Sequence, residues 1–83
     1  MKLDYKLEWD HEHVSFTGFL NDKDLKPLGR ILQEFTFYSD AYFILRVPYG
    51  EGEGIGKAID RAYSMVESLY DISRTDMYQL PLR

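Results

Sequence analysis

The part of this sequence that most strongly suggests chemistry is a loop in which glycine and glutamate alternate, Gly50 to Gly56. Glycines ahead of a helix leave backbone N–H groups free, and the amino end of a helix is partially positive, so such loops often bind phosphate. This loop matches neither GxGxxG nor the P-loop pattern. Glu51 and Glu53 would also repel a phosphate at that point, which argues against a phosphate site.

Two interpretations of the loop remain. In the structural one, the two glutamates complement the dipole of the following helix and the glycines permit a tight turn. In the functional one, the loop presents carboxylates to arginine or lysine of another protein. We therefore take Tyr49, Glu51, Glu53 and Lys57 as the candidate partner-binding residues. A further alternative is a small polar ligand or a hard cation, with Glu51 and Glu53 as the oxygen donors.

The remaining chemistry-bearing residues predict neither an enzyme nor a metal site. His11 and His13 are the only histidines, and two ligands are too few for structural zinc, so a solvated turn is the favoured interpretation. Asp22 and Asp24 are neighbours on a loop, and nothing in the sequence shows them converging across a pocket as acid–base catalysis requires. There is no cysteine and no GxSxG motif. We expect no catalytic residues, no metal and no cofactor.

Composition restricts the class of protein. The 83 residues predict a single domain, 1–83, and the content of 45% hydrophobic and 16% aromatic residues is enough for a core. The absence of cysteine favours a reducing cytoplasm. The net charge of −4, with scattered lysines and arginines, disfavours nucleic acid and anionic membrane as partners. No apolar run approaches the ~20 residues that cross a bilayer.

The hydrophobic pattern predicts the elements. Strict alternation from Leu3 to Trp9 indicates a strand with one buried face, and weaker alternation from Val14 to Leu20 completes an antiparallel hairpin. Asp24 as N-cap places Pro27 in the first turn of a helix whose apolar stripe runs to Phe35. Gly29 inside that helix suggests close packing on its side.

The second half of the chain continues this order. The run from Ala41 to Val47 predicts a central strand covered on both faces, ended by Pro48. A second helix is expected from about Ile55 to Tyr70. A short final strand is possible at 77–80. The resulting order, ββαβα(β), predicts an α/β domain of the α+β two-layer sandwich type, with a mixed sheet and both helices on one face.

Tyrosine is abundant, and not every ring fits a core of this size. The candidates for surface positions are Tyr38, Tyr42, Tyr49, Tyr63, Tyr70 and Tyr78. Exposed tyrosines often mark protein interfaces. The structural alternative is that Tyr42, Tyr63 and Tyr70 border the core with their hydroxyls in water.

Three stretches resemble the STAS domain of anti-sigma-factor antagonists. They are Gly18-Phe19-Leu20-Asn21 after the hairpin, Glu51-Gly52-Glu53-Gly54-Ile55-Gly56 ahead of the second helix, and Leu69-Tyr70-Asp71-Ile72-Ser73. The resemblance covers residues 3–72 and implies a sheet-and-helix protein-binding module with its partner near residues 49–57. Glu53 stands where many members carry the phosphorylatable serine or threonine, so the resemblance does not imply a phosphorylation switch here.

Taken together, the sequence predicts a small soluble cytoplasmic module that binds another protein, as an adaptor, regulator or inhibitor. A homodimer formed through an exposed strand edge is the alternative in which the partner is the chain itself.

Overall fold

A computed structural model of the chain describes residues 1–81. The strands are β1 (Leu3–Trp9), β2 (His13–Phe19), β3 (Phe35–Tyr38), β4 (Tyr42–Pro48) and β5 (Met77–Gln79), and the helix α1 spans Ile55–Tyr70. The strands form one sheet in the order β3-β4-β2-β1-β5. The neighbours β1 and β5 pair in parallel, and the other three neighbouring pairs are antiparallel. The expected α+β class with a mixed sheet is therefore confirmed. The expected order of elements along the chain, ββαβα(β) with two helices, is wrong.

The predicted β1–β2 hairpin is confirmed, with Leu7 opposite Phe16 and Trp9 opposite Val14. Asp10 forms the turn because one of its carboxylate oxygens accepts the N–H groups of Glu12 and His13, at 2.7 and 3.0 Å. Such a side-chain bond to the backbone two or three residues ahead replaces the bond of a regular turn. The polar segment after β1 thus fixes the register of the hairpin.

The prediction of a helix that begins at Asp24 is wrong. Residues 20–34 are irregular apart from isolated turns, and Phe35 begins β3, a strand that the sequence pattern did not indicate. The N–H groups of Leu28 and Gly29 donate instead to the carbonyl of Leu69 near the end of α1, both at 2.7 Å. Pro27 and Gly29 weaken a helix by themselves, and docking onto α1 supplies backbone bonds that a helix would have supplied.

The close packing expected at Gly29 is present, although outside a helix. A Cβ atom at this position would lie 2.1 Å from the carbonyl oxygen of Ser68. The apolar residues of the predicted helical stripe therefore do not share one buried face. Leu25 is buried, whereas Leu28 and Ile31 are 71% and 55% exposed. The segment 20–34 is therefore a docked loop.

The predicted interior strand and the second predicted helix are both found. β4 lies between β3 and β2, but the expectation that both of its faces are covered is wrong. Only Phe43, Leu45 and Val47 enter the core, since a single α-helix covers a single face of the sheet in the described residues. The final strand, expected at 77–80, is β5, and the N–H of Leu80 continues its pairing by donating to the carbonyl of Tyr5 at 2.7 Å.

The core lies between α1 and the inner face of the sheet. Its fully buried members are Leu3, Val14, Phe16, Phe43, Leu45, Val47, Ala58, Ala62, Val66, Leu69 and Tyr70. The small Ala58 and Ala62 let the helix backbone approach the sheet closely. No helix in residues 1–81 is long and apolar enough to cross a lipid bilayer. The outer face of the sheet has no helix over it in this part of the chain.

Candidate functional site

The loop before α1 is closed by Glu53. Its carboxylate accepts the N–H of Gly50 at 2.9 Å and two bonds from the guanidinium of Arg61, at 2.5 and 3.1 Å. Arg61 also donates to the carbonyl of Pro48 at 2.6 Å. The bonds from Arg61 and then from Gly50 lower the pKa of Glu53 below its usual range, because they favour the charged carboxylate. Glu53 thus contributes to loop structure, whatever else it binds.

Tyr49 is also engaged within the protein. Its hydroxyl donates to the carbonyl of Asp10 at 2.7 Å, and its N–H donates to the carbonyl of Glu12 at 3.3 Å. The residue therefore ties the β1–β2 turn to the loop before α1. Of the four residues predicted to bind a partner, Glu51 and Lys57 are exposed, and no ion pair involves them in residues 1–81.

The structure gives little geometry for a cation. No cluster of three or more histidine, cysteine, aspartate or glutamate side chains that could hold a metal occurs in residues 1–81. The Glu53 oxygens already accept bonds from Arg61 and Gly50. His11 is exposed in the β1–β2 turn, and His13 begins β2 with Nδ1 3.5 Å from the Asp10 carboxylate.

A different surface concentrates aromatic side chains on the outer face of the sheet. The cross-strand register forms one row over all five strands, consisting of Tyr38, Tyr42, Phe19, Asp4 and Tyr78. The rings of Tyr38 and Tyr42 stack with centroids 4.9 Å apart, and Phe19 lies 6.4 Å from Tyr42. Tyr38 and Tyr78 are 40% and 51% exposed. Solvated faces of antiparallel sheets are usually polar, so this row needs an explanation.

The same face continues beside the row. Ile44 and Arg46 extend it along β4, and the surface there forms a shallow concavity of about 400 Å³. Its lining residues are Glu8, Trp9, Asp10, Ser15, Thr17, Ile44 and Arg46. We call the surface formed by Phe19, Tyr38, Tyr42, Ile44, Arg46 and Tyr78 the open face.

Charges on and beside the open face are mostly paired. Lys2 lies 3.6 Å from the carboxylate of Asp4, and Lys6 lies 3.3 Å from that of Glu8. Arg46 is exposed, and no carboxylate of residues 1–81 lies within ion-pair distance of it. The open face thus offers aromatic surface together with one unpaired cation.

Sequence reasoning named the tyrosines but did not assemble the open face. The alternation of β4 was hidden because the outward-facing Tyr42 and Ile44 are also aromatic or aliphatic, like the core residues beside them. Tyr38 belongs to β3, a strand that the sequence pattern did not predict, since the stripe of the predicted helix ended at Phe35. Only the register shows that these side chains adjoin Phe19 and Tyr78.

Comparisons with protein-family models, with curated proteins and with solved structures found no match for this chain. The function is therefore argued from the surfaces themselves.

Proposed function

We propose that this chain is a protein-binding module whose docking surface is the open face. The observation that carries the proposal is the aromatic part of this row on the sheet face opposite α1, where the ring of Tyr42 lies between those of Tyr38 and Phe19 and pairs with each. Tyrosine and arginine, together with tryptophan, are enriched in binding hot spots. An adaptor, regulator or inhibitor in the cytoplasm is the role that we infer, because the chain has no cysteine and no catalytic motif.

The size of the open face favours an extended peptide segment of another protein over a second copy of this chain. Three strands of seven residues, one of four and one of three, spaced about 4.8 Å apart, give a flat footprint of roughly 450 Å². A stable interface between folded proteins needs roughly 800 Å² on each partner. A second copy would also bring another net charge of −4. A peptide with aromatic or aliphatic residues and a carboxylate near Arg46 fits the surface better.

The loop before α1 is the competing site. The resemblance to STAS domains points to a partner near residues 49–57, and that relationship stays a hypothesis. Glu51 and Lys57 are the exposed members of the predicted set, so they distinguish the two surfaces without disturbing the bonds of Glu53 and Tyr49.

The test is selection of peptides from a displayed random library on the immobilised protein, followed by affinity measurement with variants. We expect Tyr38→Ser/Tyr42→Ser and Arg46→Glu each to weaken a selected peptide by about tenfold or more. The matched control Glu51→Lys/Lys57→Glu leaves the affinity unchanged, and circular dichroism verifies that every variant is folded.

Two results would contradict the proposal. Loss of binding in the loop variant alone would move the site to residues 49–57. Failure to select any peptide, together with a solution mass of twice 9.8 kDa by light scattering, would favour a homodimer.

A further inference from the structure

The edge strand β3 leaves backbone groups without a partner strand. The N–H of Arg46 donates to the carbonyl of Glu34 at 3.1 Å, so the hydrogen-bonded pairs of β3 and β4 fall at every second residue from there, including Thr36 with Ile44. The same alternation turns the N–H and the carbonyl of Phe37 away from β4. No strand of residues 1–81 pairs with that side of β3, so both groups are available to an added strand.

The sequence of β3 does little to protect this edge against pairing. Natural sheets shield their edges with very short strands, charged side chains, proline or bulges. The other edge follows that rule, because β5 has only three residues and Pro81 comes two residues after its end. β3 reads Phe-Thr-Phe-Tyr, without charge or proline and with high strand propensity. An uncharged edge of this kind is a template for one more strand.

A concavity beside β3 offers space for one side chain of such a strand. A residue opposite Phe37 points to the same face as Phe37, which is the helix side of the sheet. Phe37 there lines a concavity of about 510 Å³, and Leu20, Leu25 and Pro27 contribute to its apolar wall. A bulky apolar side chain at that position would enter the concavity.

Charge and the flanking positions complete the description of the occupant. The concavity carries Asp22 and Asp40 against Lys23 and Lys26, so its charges balance and an uncharged residue fits it. The residues on either side of that one in the added strand point to the outer face of the sheet. They lie beside Tyr38, which is 40% exposed. The added strand would therefore extend the open face.

The length of β3 favours a segment of another protein over a second copy of this chain. Its four residues span roughly 14 Å. Two copies joined along that length alone would bury far less than the roughly 800 Å² that each partner contributes to a stable interface. An extended peptide, by contrast, takes its affinity from main-chain bonds to the edge and its specificity from pockets for alternate side chains.

We propose that the partner segment binds as a sixth strand beside β3, bonded to the backbone of Phe37, with an apolar residue in the concavity and its neighbours beside Tyr38. The inference rests on the proposed function, because it specifies how a peptide would reach the open face.

The test is an N-methyl scan of a peptide selected from the displayed library. In an added strand every second N–H of the peptide points at β3, and the others point away. We expect N-methylation at alternate positions to weaken binding by about tenfold or more. Methylation at the intervening positions, the matched controls, leaves the affinity unchanged. The amide of Phe37 should exchange more slowly when the peptide is bound, since it then donates to the peptide.

The outcomes distinguish this inference from the proposed function. A scan without alternation, for a peptide that Tyr38→Ser/Tyr42→Ser weakens, would overturn strand addition and retain the open face. Alternation for a peptide that this variant binds with full affinity would support strand addition and remove the open face. A protected Phe37 amide in a peptide-free species of twice 9.8 kDa would assign the edge to a second copy and overturn the inference. Failure to select any peptide would overturn both proposals.

Discussion

Glu53 illustrates how a conspicuous residue can have a structural role. It stands in the most unusual stretch of the sequence, and its two carboxylate oxygens close the Gly/Glu loop through Gly50 and Arg61. Arg61 lies two turns into α1 and also donates to Pro48 at the end of β4. One carboxylate thereby joins a strand end, a loop and a helix.

The stability contributed by Glu53 depends on pH. Because its pKa is lowered in the folded chain, the contribution is complete above the ordinary glutamate pKa of about 4.3 and is lost as pH falls through the lowered value. We expect Glu53→Gln to lower the urea midpoint of unfolding at pH 7. The difference in urea midpoint between wild type and variant should narrow as the pH falls below about 5. The control Glu51→Gln, at an exposed position, should match wild type throughout. A difference in urea midpoint that does not change with pH would contradict a stabilising role for the ionised Glu53 carboxylate.

At the scale of elements, the docked loop is the largest difference between expectation and structure. Residues 20–34 have an apolar spacing compatible with a helix, yet the N–H groups of Leu28 and Gly29 bond to the end of α1. The contact depends on Gly29, whose missing side chain lets the loop reach the carbonyl of Ser68. Helix propensity is a weak preference that a specific tertiary contact of this kind overrides.

Gly29→Ala tests the docking. Its Cβ would overlap a backbone oxygen that cannot rotate away, so we expect a loss of about 1–3 kcal/mol in the free energy of unfolding. Gly56→Ala is the matched control, since Gly56 lies in the first turn of α1 with open space around its Cβ position. It should leave stability unchanged or raise it by up to about 1 kcal/mol. Equal effects of the two substitutions in urea denaturation would contradict the docking.

At the scale of the whole molecule, one helix covers one side of a five-stranded sheet. Strand order places β2 and β4 in the interior, while β3 and β5 form the edges. Phe16 and Leu45 face each other at the centre of this arrangement and are fully buried. The interior strands should therefore be the last part of the molecule to open.

Native-state hydrogen exchange measures this directly. We expect the slowest amides around Phe16 and Leu45, with exchange close to that of global unfolding. Most amides of residues 21–34 should exchange fast. Leu28 and Gly29 should exchange more slowly than most of this segment, because both bond to the carbonyl of Leu69. If these two exchange as fast as their neighbours, the loop is not docked in solution.

The sequence by itself determined the elements that depend on local pattern. The hairpin and α1 follow from alternation or helical period, since each buries one face along its own length. The sequence left the final strand open, and its parallel pairing with β1 decided it. The candidate loop could be located in the same way, because its glycines and glutamates are contiguous. The four residues predicted there remain candidates for partner binding.

Only the tertiary structure decided how the remaining residues are used. The fate of residues 20–34 depended on a contact between Gly29 and Ser68, some 39 positions apart, that no local pattern contains. The open face exists because strand order brings Tyr78 and Phe19 into one row with Tyr38 and Tyr42. Periodicity shows which residues share a face of one strand, but the register between distant strands comes from packing of the whole chain.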